Sequence, residues 1–189
     1  HATQWLAARD LVKKGRIGDV RAIQVFSPYS NRDPKNVRNM AGIGGGGLLD
    51  IGCYPITVSR FIFNSDPKRV TATFDRDPKF KTDRTAGGLA DFGDGRHLSF
   101  SISTQTAPFQ RVQIMGTKGR IEIEIPFNAP LDRPCKMWHQ RGTEIEQITI
   151  DVCNQYGIQG DLFSQAILND TPVPTPIEDA VSNMKVIEA

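Results

Sequence analysis

Metal-binding patterns, membrane spans and one-sided charge are all missing from this sequence. Its three cysteines, Cys53, Cys135 and Cys153, are odd in number and widely spaced, with no C-x-x-C pair. His1, His97 and His139 fall at no ligand spacing from them. This excludes a disulfide framework and the usual zinc patterns, and predicts reduced thiols in a cytoplasmic setting with no bound metal. No apolar run approaches the roughly 18 residues of a spanning helix, and no signal-peptide pattern opens the chain, so no membrane partner is expected. The 23 basic and 21 acidic residues leave a net charge of +2 and are scattered, so there is no basic stripe for nucleic acid and no acidic tail. An initiator Met is lacking as well. The chain opens inside a helical pattern, HATQWLAARDLVKKG, and stops in another, NMKVIEA, as expected of a piece cut from a longer protein.

What is present suffices for a core: 189 residues fit one domain that buries about 70% of its unfolded surface. Trp5, Leu6, Ala8, Leu11 and Val12 recur at helical spacing over residues 3–14, and Gly15 stops the run behind two lysines. DVRAIQVF reads as a strand. Residues 48–63 return to helical spacing, with Pro55 predicting a kink or a first turn. RVTATF alternates, and GGLADFGDGRHLSFSIS carries two strands joined at Gly93-Asp94-Gly95. RVQIMGTKGRIEIEIPF repeats the device, and CKMWHQ with EIEQITID reads as a further hairpin. Helix follows at 157–170, after a polar loop. A last helix begins at Thr175-Pro176-Ile177-Glu178, with Thr175 as N-cap, Pro176 in the first turn and Glu178 closing a capping box. Alternation of this kind marks antiparallel strands with one face in the core. The fold class expected is therefore α+β, an open and mainly antiparallel sheet with helices packed on one face.

The stretch GIGGGGLLDIGCY, residues 42–54, meets the G-x-G-x-x-G template of a dinucleotide loop with Gly42, Gly44 and Gly47. That template works only after a buried strand and with an acidic residue closing a second strand. Here NRDPKNVRNMA precedes it, without an apolar run, and Asp66 sits in a turn. The glycines are read instead as a segment that lets other groups approach the backbone closely. Behind them Asp50 and Tyr54 lie one helical turn apart on one face. A phenol is a poor proton carrier near neutrality unless a cation stabilises its phenolate, and none adjoins Tyr54 in sequence. Pattern alone admits the simpler account of a capping Asp50 and a core Tyr54. CNQYGIQGD gathers Asn154, Tyr156 and Asp161 with two glutamines, donors and acceptors of the kind polyhydroxylated ligands need. Arg32 and Arg38 are further candidates, or solvated loop residues.

Together, GRIGDVRAI, NRDP, GGGGLLDIGCYPI, MGTKGRIEIE, CNQYGIQGD and PVPTPIEDAVSNMKVIEA resemble, in order, the C-terminal part of the Gfo/Idh/MocA oxidoreductases, in their glucose-fructose oxidoreductase-like branch. The resemblance implies that residues 1–189 are the substrate-binding and oligomerisation domain of a two-domain enzyme. Its N-terminal Rossmann domain would bind NAD or NADP and is not part of this chain. It implies that Tyr54 exchanges the proton of a substrate hydroxyl while Asp50 holds substrate or orients a lysine of an E-K-P motif, which this sequence does not contain. It also implies that Arg32, Arg38, Asn154, Tyr156 and Asp161 line the cleft for a sugar or polyol. A homo-oligomer formed through the exposed sheet face, where Ser99, Ser101 and Ser103 project, is expected too. No cofactor is expected on the fragment, which should be inactive alone. The rivals are a stand-alone sugar-binding or oligomerisation module, and a nucleotide-binding domain using residues 42–47.

Overall fold

Strand β1 (Val20–Pro28) organises the architecture, because both of its sheet neighbours come from later in the chain. The computed structural model describes residues 3–189. Around β1 stand β2 (Arg69–Arg76), β3 (Asp83–Gly93), β4 (Arg96–Ser103), β5 (Arg111–Gly116), β6 (Arg120–Ile123), β7 (Cys135–Arg141) and β8 (Glu144–Ile150). They form one open sheet in the order β2-β3-β4-β1-β5-β6-β7-β8, in which only the β1–β4 pair is parallel. The helices are α1 (Thr3–Lys13), α2 (Cys53–Phe63), α3 (Gln155–Leu168) and α4 (Ile177–Ile187). This is the α+β arrangement that the alternation predicts.

Register explains the two faces. Ile23 pairs with Leu98 on one side and Ile114 on the other, and Val25 with Phe100 and Val112, so the period-two apolar residues meet in rows. Ile121, Ile123 and Met137 continue the inner face, and α1 adds Trp5 and Ala8 while α2 adds Ile56, Val58 and Ile62. Each of the Ile, Val and Met side chains contributes about 1.5–3 kcal/mol when fully buried. The opposite face pairs Gln24 with Ser99 and Gln113, Phe26 with Ser101, and Glu122 with Trp138. Ser103 departs from the expected outer row: it is 3% exposed, and its hydroxyl donates to the Arg84 carbonyl at 2.8 Å.

Local chemistry sets the boundaries, with three adjustments to the sequence reading. Gly93, Asp94 and Gly95 all take positive φ at the β3–β4 hairpin, as the D-G signal requires. Before α2, residues Leu48–Gly52 form a π-helical turn. Pro55 has no N–H to give to the Ile51 carbonyl, so a regular ladder cannot run through this point and the irregular turn absorbs the expected kink. The helix expected at 157–170 begins two residues earlier, so Gln155 and Tyr156 lie on α3 and not in the polar loop, because Asn154 caps it by accepting from the Gly157 N–H at 3.0 Å. Finally α4 starts one residue later than its signal, with Pro176 as N-cap and no side-chain cap bond, so the Thr175–Glu178 capping box does not form.

Candidate active site

The site is assembled where β1 ends, and the Asn- and Asp-rich loop behind it is folded by its own side chains. The Asn31 Oδ1 accepts from the Asp33 N–H, the Asp33 Oδ1 from the Lys35 N–H, and the Asn36 Oδ1 from the Arg38 N–H. Buried Asn39 then donates to the carbonyls of Asn31 and Asp33. These successive Asx turns present Arg38 to the π-helical turn.

There the Asp50 carboxylate meets two different donors. Tyr29, the residue after β1, donates its hydroxyl to Asp50 Oδ2 at 2.6 Å, and Arg38 Nε stands 2.7 Å from Oδ1. Charge-assisted bonds of this length are among the stronger ones and fix the carboxylate in rotation. Burial, followed by the bond to Asp50, pushes the Tyr29 phenol far above its ordinary range, so it stays a donor. Hydrogen bonding to Asp50 likewise raises Arg38.

One turn along, Tyr54 is 44% exposed and stacks on Phe127, with ring centroids 5.1 Å apart. Its phenol is also raised, by burial first and then by the Cys53 thiol and the Asp50 carboxylate, while Arg38 pulls it down. The arrangement therefore holds a protonated phenol. A further cation would be needed to make it a base.

These groups line a cleft of about 310 Å³ together with Ser27, Asn31, Gln110, Asn128 and Tyr156. The volume suits a small polar ligand. Wider depressions of about 500 and 600 Å³ lie beside α2 and around Lys68; in the first, Arg60 is already paired with Asp66 and Asp179 at 2.6 and 2.8 Å. Of the residues singled out from sequence, Asp50, Tyr54, Arg38 and Tyr156 come together here. Arg32 is exposed in the loop and does not line the cleft, Asn154 is used as the α3 cap, and Asp161 lies exposed further along α3. Tyr29, Gln110, Phe127 and Asn128 were not foreseen. Tyr29 had a weak signal, an aromatic directly behind an alternating strand, whereas PFNAP reads only as a turn.

The glycine run cradles an anion, but it is the chain's own. Asp83 Oδ2 accepts from the Leu48 N–H at 2.7 Å, and the Asp83 carboxylate packs against Gly46 and Gly47. A phosphate would meet that negative charge. No helix of the described residues is long and apolar enough to cross a membrane, and they include no group of three or more His, Cys, Asp or Glu that could hold a metal.

The profile of the GFO/IDH/MocA C-terminal domain matches residues 5–122, and the chain belongs to that family. An uncharacterized oxidoreductase of Rhizobium meliloti, ORF334, is 38% identical over 191 residues, covering 98% of this chain and 57% of its own length. A D-xylose 1-dehydrogenase (NADP+) of Haloferax volcanii is 25% identical over 170 residues, 88% of this chain and 52% of its own. The fold is that of KijD10, a 3-ketoreductase from Actinomadura kijaniata solved with NADP and TDP-benzene. It superposes with a TM-score of 0.91 at 22% identity, over 100% of this chain and 58% of that one. An aldose-aldose oxidoreductase from Caulobacter crescentus, complexed with glycerol, gives 0.88 at 24%, over 98% of this chain and 56% of that one. The chain thus spans little more than half the length of the relatives it matches.

Proposed function

We propose that this chain is the substrate-binding half of an NAD(P)-dependent oxidoreductase acting on a sugar or polyol, with Tyr54 as the proton donor and acceptor. The observation that carries the reading is the Asp50 carboxylate, fixed by Tyr29 and Arg38 one turn from a half-exposed phenol in a polar cleft. The relatives' names, a xylose dehydrogenase and sugar-nucleotide 3-ketoreductases, support the substrate class and favour NADP over NAD.

The dinucleotide would be held by a Rossmann domain outside this chain, in keeping with Asp83 occupying the glycine run that matches a phosphate-loop template. When bound, it supplies or accepts the hydride at the substrate carbon. This chain's residues do the rest. Tyr54 Oη gives its proton to a carbonyl oxygen in the reductive direction and takes it from a hydroxyl in the oxidative one. Asp50, its charge offset by Tyr29 and Arg38, accepts a neighbouring substrate hydroxyl through its remaining lone pairs. Asn31, Gln110, Asn128 and Tyr156 offer the further donors and acceptors a sugar needs. Arg32, Asn154 and Asp161, which lie away from this cleft, would serve the substrate only if the other domain extends the cleft towards them. Burial, Cys53 and Asp50 together keep Tyr54 protonated, so its turn as a base requires a cation from the other domain, the role the family's E-K-P lysine would fill. The 189 residues alone should therefore bind without turning over, which is how a stand-alone binding module would also behave. The three unpaired thiols fit the cytoplasm as the place of work, and the uncovered sheet face fits a contact between copies of the chain.

The test is Tyr54→Phe in the full-length protein, assayed by NADPH absorbance against a panel of aldoses and ketoses. Turnover should fall about 10²–10⁴-fold, the usual worth of a positioned acid–base group. Wild-type turnover in the variant would rule the role out.

A further inference from the structure

Between β6 and β7 the chain leaves the sheet, and residues 125–128 are held by side chains from three distant places. Trp5 Nε1 donates to the Pro126 carbonyl at 2.7 Å, and the fully buried Gln4 donates to the carbonyls of Ile125 and Pro126 at 3.2 Å each. Gln155, the first residue of α3, donates to the Phe127 carbonyl at 3.3 Å, and the Phe127 N–H donates to Gln110 Oε1 at 3.4 Å. A segment without a strand partner thus has its backbone groups satisfied by side chains. The ring it carries lies nearly parallel both to Trp5, with centroids 6.3 Å apart and planes at 21°, and to Tyr54, at 5.1 Å and 19°.

We infer that Phe127 is a positioning residue for Tyr54, setting the plane and rotamer of the phenol from a loop clamped by α1 and α3. The inference rests on the proton-transfer reading of Tyr54. Tyr54 sits on the first turn of α2 with its ring half in solvent, so its own helix does not settle where the hydroxyl points. An aromatic stack of this kind favours one ring orientation beyond what burial alone would do. A reacting group misplaced by about 1 Å loses about 10²-fold in rate. Phe127 carries no polar side-chain atom to offer a sugar, so its removal should disturb the proton step and leave ground-state binding largely alone.

The ring also covers the phenol. Burial is the largest cause of Tyr54's raised pKa, so uncovering it should lower the pKa. The charged and titratable groups facing Tyr54 are Cys53 and Asp50 along its own segment, Tyr29 behind β1, Arg38 from the Asx-turn loop and Tyr156 from α3, and Phe127→Leu leaves each of these side chains in the sequence.

The experiment uses the full-length protein with tyrosine labelled by 13C at Cζ, Tyr54 being assigned by the signal lost in Tyr54→Phe. Phe127→Leu should lower kcat about tenfold or more with KM within about threefold, the signature of an interaction felt in the transition state. It should also move the Tyr54 titration to lower pH, and Phe127→Trp should restore both. If Phe127→Leu does not fold, Phe127→Met, similar in bulk and without a ring, stands in under the same criteria. Unchanged kcat and an unchanged Tyr54 titration would overturn the inference. If Tyr54→Phe itself keeps turnover, the proton-transfer reading fails, and the stack is then judged on the titration alone.

Discussion

Asp77 shows how much one carboxylate can be made to do. Its Oδ1 accepts from the N–H groups of Lys79 and Phe80 at 2.7 and 2.9 Å, and its Oδ2 accepts from Gln105 Nε2 at 2.8 Å. The Phe80 amide first, then Gln105, hold its carboxyl down at about 2. Because the folded pKa lies below the unfolded value of about 3.9, the stabilisation is complete above about pH 4 and disappears as pH falls towards 2. Urea midpoints at pH 6, 4 and 3 should therefore drop less for Asp77→Asn than for the wild type over the acid interval; parallel curves would refute this. At the candidate site, residue-scale legibility was divided. Asp50 and Tyr54 were readable because a four-residue spacing on a helix is local information. Arg38 was readable as a cation, but not as the partner of Asp50, and Phe127 was invisible because its stack on Tyr54 exists only after the sheet has formed.

Among the elements, the glycine run illustrates a signal read correctly as close approach and left incomplete as to what approaches. Gly46 has φ +133°, and a Cβ there would stand 2.0 Å from Asp83 Oδ1. Gly46→Ala should thus destabilise the protein by about 1–3 kcal/mol through strained backbone and displaced carboxylate, measured by urea unfolding. Gly42→Ala, with open space around it, should cost far less. Every strand was legible to within a few residues, since one buried face forces period-two alternation, but β3 begins at Asp83, four residues ahead of its reading, and β2 is exposed along its whole length. The ends of α1 and α2 were legible too, but the starts of α3 and α4 were not. The capping-box spacing at Thr175 is chemically sound, but the fold turns the chain one residue later, and the polar run at 154–161 hid that α3 begins at Gln155, two residues ahead of the expected start; on α3 only Ala166 is buried.

At the scale of the molecule, the uncovered sheet face carries Phe26, Leu89 and Met115, each 39–47% exposed, among serines and glutamines. If copies of the chain meet there, Phe26→Arg should shift sedimentation equilibrium of the full-length protein towards the monomer; an unchanged distribution would send the search to another surface. Membership of the family was legible from the order of short blocks, whereas the strand order was not, because nothing local to β1 says that its partners lie so far ahead. That placement has a consequence for how the chain is made. Val20–Pro28 leaves the ribosome before either strand it will lie between, and β4 follows roughly 70 residues later, about 3.5–14 s at ordinary rates of about 5–20 residues per second. Through that interval Ile23 and Val25 have no sheet to join. The nascent chain must be kept from pairing with its neighbours on the polysome until the parallel partner arrives.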